Sequence, residues 1–277
     1  MTQLIDTDAS IDHQTLTDAE LLRYARQVLL EGWDIDAQLR LKSSRVVMIG
    51  AGGLGCPASE TLVRAGLGQV HLIDDDEIEA SNLQRQTLFL PEDIGQSKAL
   101  TAAEMLEKIN PLITARGTVA RLSIDNAYEL LDMATGKPNL LLDCTDNFAT
   151  RDIINRISVR FQIPLLTASA IGMQGQLALF EPQLHTGCYH CVFGDPSANN
   201  GSDTDINTET DERTCANSGV LASTTGIMGN LQANAALQYL GLTKNPLTTK
   251  LLLWDGSRMQ QRLMGYRKDK NCPVCAV

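Results

Sequence analysis

The chain is short of basic residues. Lys and Arg number 23 against 33 Asp and Glu, a formal net charge of −10, so it lacks the cation excess on which binding to a nucleic-acid backbone depends. Long hydrophobic runs are also missing. No apolar stretch approaches the ~20 residues that span a bilayer, and the polar residues 1–14 lack the apolar core of a secretory signal. These absences lead to the expectation of a cytoplasmic protein with no nucleic-acid and no membrane partner. What is present suffices for a substantial core: 43% hydrophobic and 20% charged residues over 277 positions, enough for one large α/β domain or two small ones.

The seven cysteines are unevenly placed. Cys188 and Cys191 form one Cys-x-x-Cys pair, Cys272 and Cys275 another. In a reducing compartment, two such pairs far apart in sequence are better explained by one tetrahedral zinc than by disulfides. A four-cysteine site is closed, leaving no open position for metal-assisted hydrolysis. Cys56 and Cys144 fall in helix and strand contexts and read as small buried hydrophobes.

The stretch over residues 46–85 organises the rest. An apolar run at 46–49 meets Gly50, Gly52, Gly53 and Gly55, then a helical segment, a second apolar run at 70–73, and Asp74, Asp75 and Asp76. Gly50 permits a tight turn off the strand, Gly52 or Gly53 lets backbone N–H groups approach a phosphate, and Gly55 lets the helix pack close to the sheet. Asp74 follows the loop by about 20 residues, where a carboxylate accepts both hydroxyls of a ribose. The loop and acid alone also suit an NAD-dependent oxidoreductase. Asn82, Arg85 and Lys98 argue otherwise, because cations past the strand ends neutralise charge that develops during phosphoryl chemistry.

Elsewhere the pattern predicts helices over 18–31, 54–64, 98–109, 127–134, 148–161 and 220–240, and strands over 114–120, 140–143, 164–168, 176–180, 251–254 and 261–264. Arg23 and Arg26 share a face of the first helix, which is the ordinary fate of solvated charges. Lys98 stands in the first turn of its helix, where the dipole disfavours a cation, so its placement suggests another task. Asp146 projects from the C-terminal end of the 140–143 strand, the edge where parallel sheets bind ligands; Asp146 or Asn147 also suits a helix N-cap. Residues 195–213 are polar and almost free of apolar side chains, and a mobile loop is expected there.

Taken together, Arg23-Tyr24-Ala25-Arg26-Gln27, the glycine loop, Ser81-Asn82-Leu83-Gln84-Arg85-Gln86, Asp143-Cys144-Thr145-Asp146-Asn147, the two cysteine pairs and Thr214-Cys215 resemble the ThiF/MoeB/HesA family, bacterial relatives of ubiquitin-activating enzymes. The similarity runs from about residue 16 to the C-terminus. It implies a Rossmann-type doubly wound α/β sheet continuing into a mixed sheet with a four-cysteine zinc site. Beyond a flexible segment at 1–15, it implies one adenylyltransferase domain at 16–277: a nucleotide-binding core at about 44–168, then zinc, crossover-loop and carrier-docking parts.

The resemblance also implies an activity, ATP-dependent adenylation of the C-terminal glycine of a ubiquitin-like sulfur-carrier protein. Carried over by position, Gly53, Asp74, Ser81, Asn82, Arg85, Lys98, Asp146 and Asn147 line the ATP site, to which the reading of the glycine loop adds Gly50, Gly52 and Gly55. Asp146 would bind Mg²⁺, and Asp76 would assist the metal or the polar network. The family arginine matching Arg26 reaches into the partner subunit's site, implying a homodimer. The cysteine matching Cys215 is implicated in a covalent sulfur-transfer step in ThiF-like members, and that role is expected of Cys215, with a spectator thiol as the alternative. The details Asp74-Asp75-Asp76, Leu166-Thr167-Ala168-Ser169-Ala170 and Cys272-Pro273-Val274-Cys275 lie nearer the ThiF-like branch, hence a ThiS-like carrier and thiamine thiazole synthesis. A MoeB-like enzyme with a MoaD-like carrier is the alternative, a sulfur-donor protein a candidate further partner, and a non-catalytic scaffold the rival of another class.

Overall fold

The computed structural model describes residues 15–194 and 219–276. Eight strands form one sheet in the order β3-β2-β1-β4-β5-β6-β7-β8. Strands β1 (Arg45–Ile49), β2 (Gln69–Ile73), β3 (Thr114–Thr118), β4 (Leu140–Asp143) and β5 (Leu165–Ile171) are parallel neighbours. From β5 onward the pairing is antiparallel through β6 (Gln174–Phe180), β7 (Lys250–Asp255) and β8 (Gln260–Gly265). The 3-2-1-4-5 half is the order of a Rossmann sheet, whose direction of winding reverses between β1 and β4.

Alternation within the strands divides the core in two. Val46, Met48, Leu140 and Leu142 point into the larger cluster, Val47, Ile49 and Leu141 into the other, as a period of two requires. The larger layer contains α2 (Ile35–Lys42), α3 (Gly55–Ala65), α4 (Lys98–Ile109) and α8 (Ala222–Leu242), with α1 (Asp18–Val28) beside them. Opposite lie α5 (Ala127–Leu130), α6 (Phe148–Phe161) and the single turn α7 (Tyr189–Phe193). Helix α8 packs closely on α3 because Gly229 lets it: a Cβ there would lie 2.6 Å from Pro57 Cγ and 2.7 Å from the Leu54 carbonyl oxygen.

Several elements differ from expectation: α7 is not among the expected helices, β5 runs on to Ile171 rather than 168, and β3 stops at Thr118 rather than 120. Helix α1 stops at Val28 rather than at 31, since the Leu30 amide turns onto the Gln27 carbonyl three residues back at 3.0 Å and Gly32 takes a left-handed φ of 83°. Helix α5 ends at Leu130 rather than 134, where Asp132 turns the chain at φ 50°. Helix α2 is absent from the sequence pattern altogether. Its buried face carries Gln38 between Ala37 and Leu41, and that polar side chain hides the apolar period. Gln38 is nonetheless satisfied, donating to the Ala65 carbonyl at 2.9 Å and accepting from Trp33 Nε1 at 3.1 Å and Gln27 Nε2 at 2.7 Å.

Candidate functional site

A cleft of about 760 Å³ opens at the C-terminal ends of the parallel strands, where the winding reverses and such sheets hold ligands. Its floor is the glycine loop. Gly50 sits at φ 94°, with the Cys144 carbonyl oxygen 2.8 Å from where a Cβ would lie, and a Cβ on Gly55 would lie 2.2 Å from the Gly50 carbonyl oxygen. Gly50, Gly52 and Gly53 line the cleft, while Gly55 lies beneath it as the first residue of α3. Asp74 at the end of β2 grips this loop, accepting from the Ala51 amide at 2.7 Å through Oδ2 and from the Asp76 amide at 2.8 Å through Oδ1. Burial raises its carboxyl above the ordinary range; the two amides and Lys98 act the other way.

One wall is a single 3₁₀ turn, Ala80–Asn82. The Asn82 side chain closes it, accepting from the Glu79 amide at 3.3 Å and donating to Ser81 Oγ at 3.4 Å. Arg85 donates to the Ser81 carbonyl at 3.1 Å and packs beside Gly53. Lys98, only 7% exposed, is the first residue of α4 and pairs with Asp76 Oδ2 at 2.7 Å. The placement that the dipole disfavours is thereby met by a carboxylate. Opposite, Asn147 is the N-cap of α6, accepting from the Thr150 amide at 2.9 Å. Exposed Asp146 lines the cleft just before it.

Arg26 is exposed on α1 and does not line this chain's cleft, and Arg23 donates to the Ile109 carbonyl at the end of α4 at 2.6 Å. Cys215 and the 195–213 stretch lie outside the described residues. Cys56 and Cys144 are buried as expected, donating to the Ala51 carbonyl and to Gln232 Oε1, each at 3.3 Å; burial pushes the Cys56 thiol up to about 12.

Arg121, Arg151, Tyr189 and Thr225 line the cleft with no assignment to it from the sequence, and Gln86 enters the sequence reading only as the last residue of the 81–86 motif. Gln86 is 3% exposed and its Oε1 has no partner among the described residues. A signal for Arg151 was available, since it too is a cation in the first turn of a helix, the anomaly that drew attention to Lys98.

The four paired cysteines converge, with all four Sγ atoms within 4.8 Å of one another. Cys188 lies 3.9 Å from Cys191 and 3.7 Å from Cys272, and Cys191 lies 3.4 Å from Cys275. A tetrahedron with metal–sulfur bonds of about 2.3 Å has edges of about 3.8 Å, so the donor set fits zinc. Asn155 on α6 supports it, donating to Cys188 Sγ at 3.6 Å and accepting from the Tyr189 amide at 3.0 Å.

Fold and cleft together define a Rossmann-type nucleotide-binding α/β protein. Residues 24–274 match the ThiF family, and the chain belongs to it. The sulfur carrier protein ThiS adenylyltransferase of Escherichia coli strain K12 is 39% identical over 94% of this chain and 97% of that relative. A molybdopterin-synthase adenylyltransferase of Salmonella typhimurium strain LT2 is 37% identical over 94% of this chain and 98% of its own length. A crystal structure of E. coli MccB with succinimide shares the fold, with a TM-score of 0.75 at 23% identity over 95% of this chain and 75% of that one.

Proposed function

We propose that this protein adenylates the C-terminal glycine of a ubiquitin-like sulfur-carrier protein with ATP, releasing pyrophosphate. The observation that carries the reading is the meeting, in one cleft, of a glycine loop and Asp74 with Arg85, Lys98 and Asp146, in a chain whose relatives are named adenylyltransferases. A dehydrogenase would use the loop and Asp74 but has no evident use for the two cations, and a non-catalytic scaffold has no evident use for any of the three side chains.

Asp74 would hold the ribose with its remaining lone pairs while the backbone of Gly52 and Gly53 leaves room for phosphate. A carboxylate is already a nucleophile, so no general base is needed; the task is to place it in line with the α-phosphorus. As its oxygen bonds to that phosphorus, the bond to pyrophosphate breaks and the pyrophosphate leaves with the electron pair. Arg85 and Lys98 then stabilise the negative charge on the phosphoryl oxygens. Asp146 would hold Mg²⁺, which neutralises phosphate charge. Asp76 serves this network by fixing Lys98. Arg26, exposed and away from its own chain's cleft, would complete the site of a second copy in a homodimer. The four cysteines would hold a structural zinc.

The ThiF-like reading makes the carrier ThiS-like and its adenylate the intermediate that a later sulfur transfer would use for thiamine thiazole synthesis. The comparable identity to a molybdopterin-synthase adenylyltransferase supports a MoaD-like carrier as the second reading. ATP–pyrophosphate exchange with each carrier, both ending in Gly-Gly, decides. Exchange with one carrier, lost in Asp146→Ala, establishes adenylation and selects the pathway; no exchange with either rejects the proposal.

A further inference from the structure

The Arg151 side chain is 8% exposed, and a buried guanidinium needs its charge and donors matched. It donates to the Thr145 carbonyl, the last before Asp146, and to the Ala168 carbonyl of β5 at 2.9 Å. Asp143 Oδ2 stands 3.9 Å from Nη1, held in place by Thr167 Oγ1 at 2.5 Å. The end of β4, the middle of β5 and the turn that carries Asp146 therefore meet on one cation.

The same face of α6 meets the four-cysteine cluster one turn later. Residues four apart lie above one another on a helix, and Asn155, four after Arg151, touches both the Cys188 sulfur and the Tyr189 amide. Tyr189 faces the other way into the cleft beside Arg151. Its ring packs on Phe193 at 4.3 Å and against Phe180 at 6.4 Å. Helix α7, which bears Tyr189, has five residues, too few to hold its shape alone; the cysteines at its start and within it supply the anchor.

We propose that Arg151 is a positioning residue that fixes the 145–147 turn in its cleft-facing form, and that the four-cysteine cluster holds Arg151 in place through Asn155 and Tyr189. The cluster is then a support of the nucleotide cleft rather than a remote clasp. The importance of that turn rests on the adenylation reading; the mechanical coupling does not.

The test compares hydrogen exchange of backbone amides at 145–150 and at 69–73, with affinity for a non-hydrolysable ATP analogue, in zinc-loaded protein, chelated protein, Arg151→Lys and Asn155→Ala. Lysine keeps the charge but loses the planar fork that reaches several acceptors. Arg151→Lys, with zinc retained, is expected to speed exchange at 145–150 and weaken nucleotide binding, each on the order of tenfold, leaving 69–73 unchanged. Chelation reproduces this in the wild type and adds little in Arg151→Lys; Asn155→Ala, with its cysteines intact, falls between. Wild-type exchange and affinity in Arg151→Lys, or unaltered exchange at 145–150 after metal loss, overturns the proposal. A wild-type protein that binds no nucleotide sinks the adenylation reading alone, since the exchange data still decide the coupling.

Discussion

Lys98 and Asp76 are joined twice. The Lys98 amide donates to the Asp76 carbonyl at 3.1 Å, and its Nζ reaches Asp76 Oδ2 at 2.7 Å. The first residue of α4 is thereby tied to the segment leaving β2, and a buried ammonium is held at the cleft by a carboxylate that is itself mostly exposed, at 67%.

That asymmetry separates stability from activity. An ion pair with one solvated partner contributes about 1 kcal/mol or less, and methionine preserves the buried stem. Lys98→Met is therefore expected to unfold in denaturant within about 1 kcal/mol of wild type. Its pyrophosphate exchange should fall roughly 100-fold or more, the scale for removing one preorganised charge stabiliser. A parallel loss of both quantities would mean that Lys98 serves the fold alone.

Two glycines of one loop should fail in different ways. A Cβ on Gly55 would lie 2.2 Å from a backbone oxygen that cannot swing aside, so Gly55→Ala is expected to cost about 2 kcal/mol or more, as overpacking does. On Gly53 the nearest atoms are side-chain carbons, Thr225 Cγ2 at 3.2 Å and Arg85 Cγ and Cδ at 3.3 Å. Gly53→Ala should keep most of its stability while displacing Arg85, and a raised KM for ATP with an ordinary unfolding midpoint is the expected signature.

Legibility in the sequence followed how local each determinant is. Gly50, Asp74 and the 46–49 run sit within one βαβ unit, so their spacing alone announced the nucleotide cleft. The cysteine pairs were readable because the number of metal ligands survives any distance between them; Cys188 and Cys272 meet across 84 positions. What Arg151 holds was not, although its place in a first helical turn could mark it, because its acceptors, the Thr145 carbonyl after β4 and the Ala168 carbonyl of β5, are brought together only by the strand order. Gln38 concealed α2 for a related reason: its partners Gln27, Trp33 and Ala65 come from three other segments, and without them a buried glutamine reads as surface.

His71 sets an acid limit. It is 5% exposed on β2, with Nε2 2.8 Å from Thr118 Oγ1. Burial, aided by the charges of Arg116 and Arg45, lowers its pKa from 6.5 to about 4. Between those values the unfolded chain binds the proton and the folded one does not, so stability falls as pH falls, by at most about 1.4 kcal/mol per pH unit. The contribution is complete above pH 6.5 and gone near pH 4. His71→Gln keeps a polar partner for Thr118 without titrating; denaturation across this window should be flatter in the variant, and an unchanged slope would assign the acid sensitivity elsewhere.

Subunit mixing tests where Arg26 acts. It is exposed on α1 and absent from its own chain's cleft, whereas Asp146 lines that cleft. If the arginine works across a homodimer, Arg26→Ala and Asp146→Ala proteins are each nearly inactive alone but complement one another. In a mixed dimer, the chain that keeps Asp146 receives Arg26 from its partner, and one of the two sites is whole. Random exchange makes half the dimers mixed, so an equal mixture should recover about a quarter of wild-type pyrophosphate exchange. An arginine acting within its own chain predicts no recovery, because every chain then lacks one of the two groups. Recovery would place the reaction between subunits, whereas an Arg26→Ala protein that is fully active alone would return Arg26 to the solvated helix face that its exposure also fits.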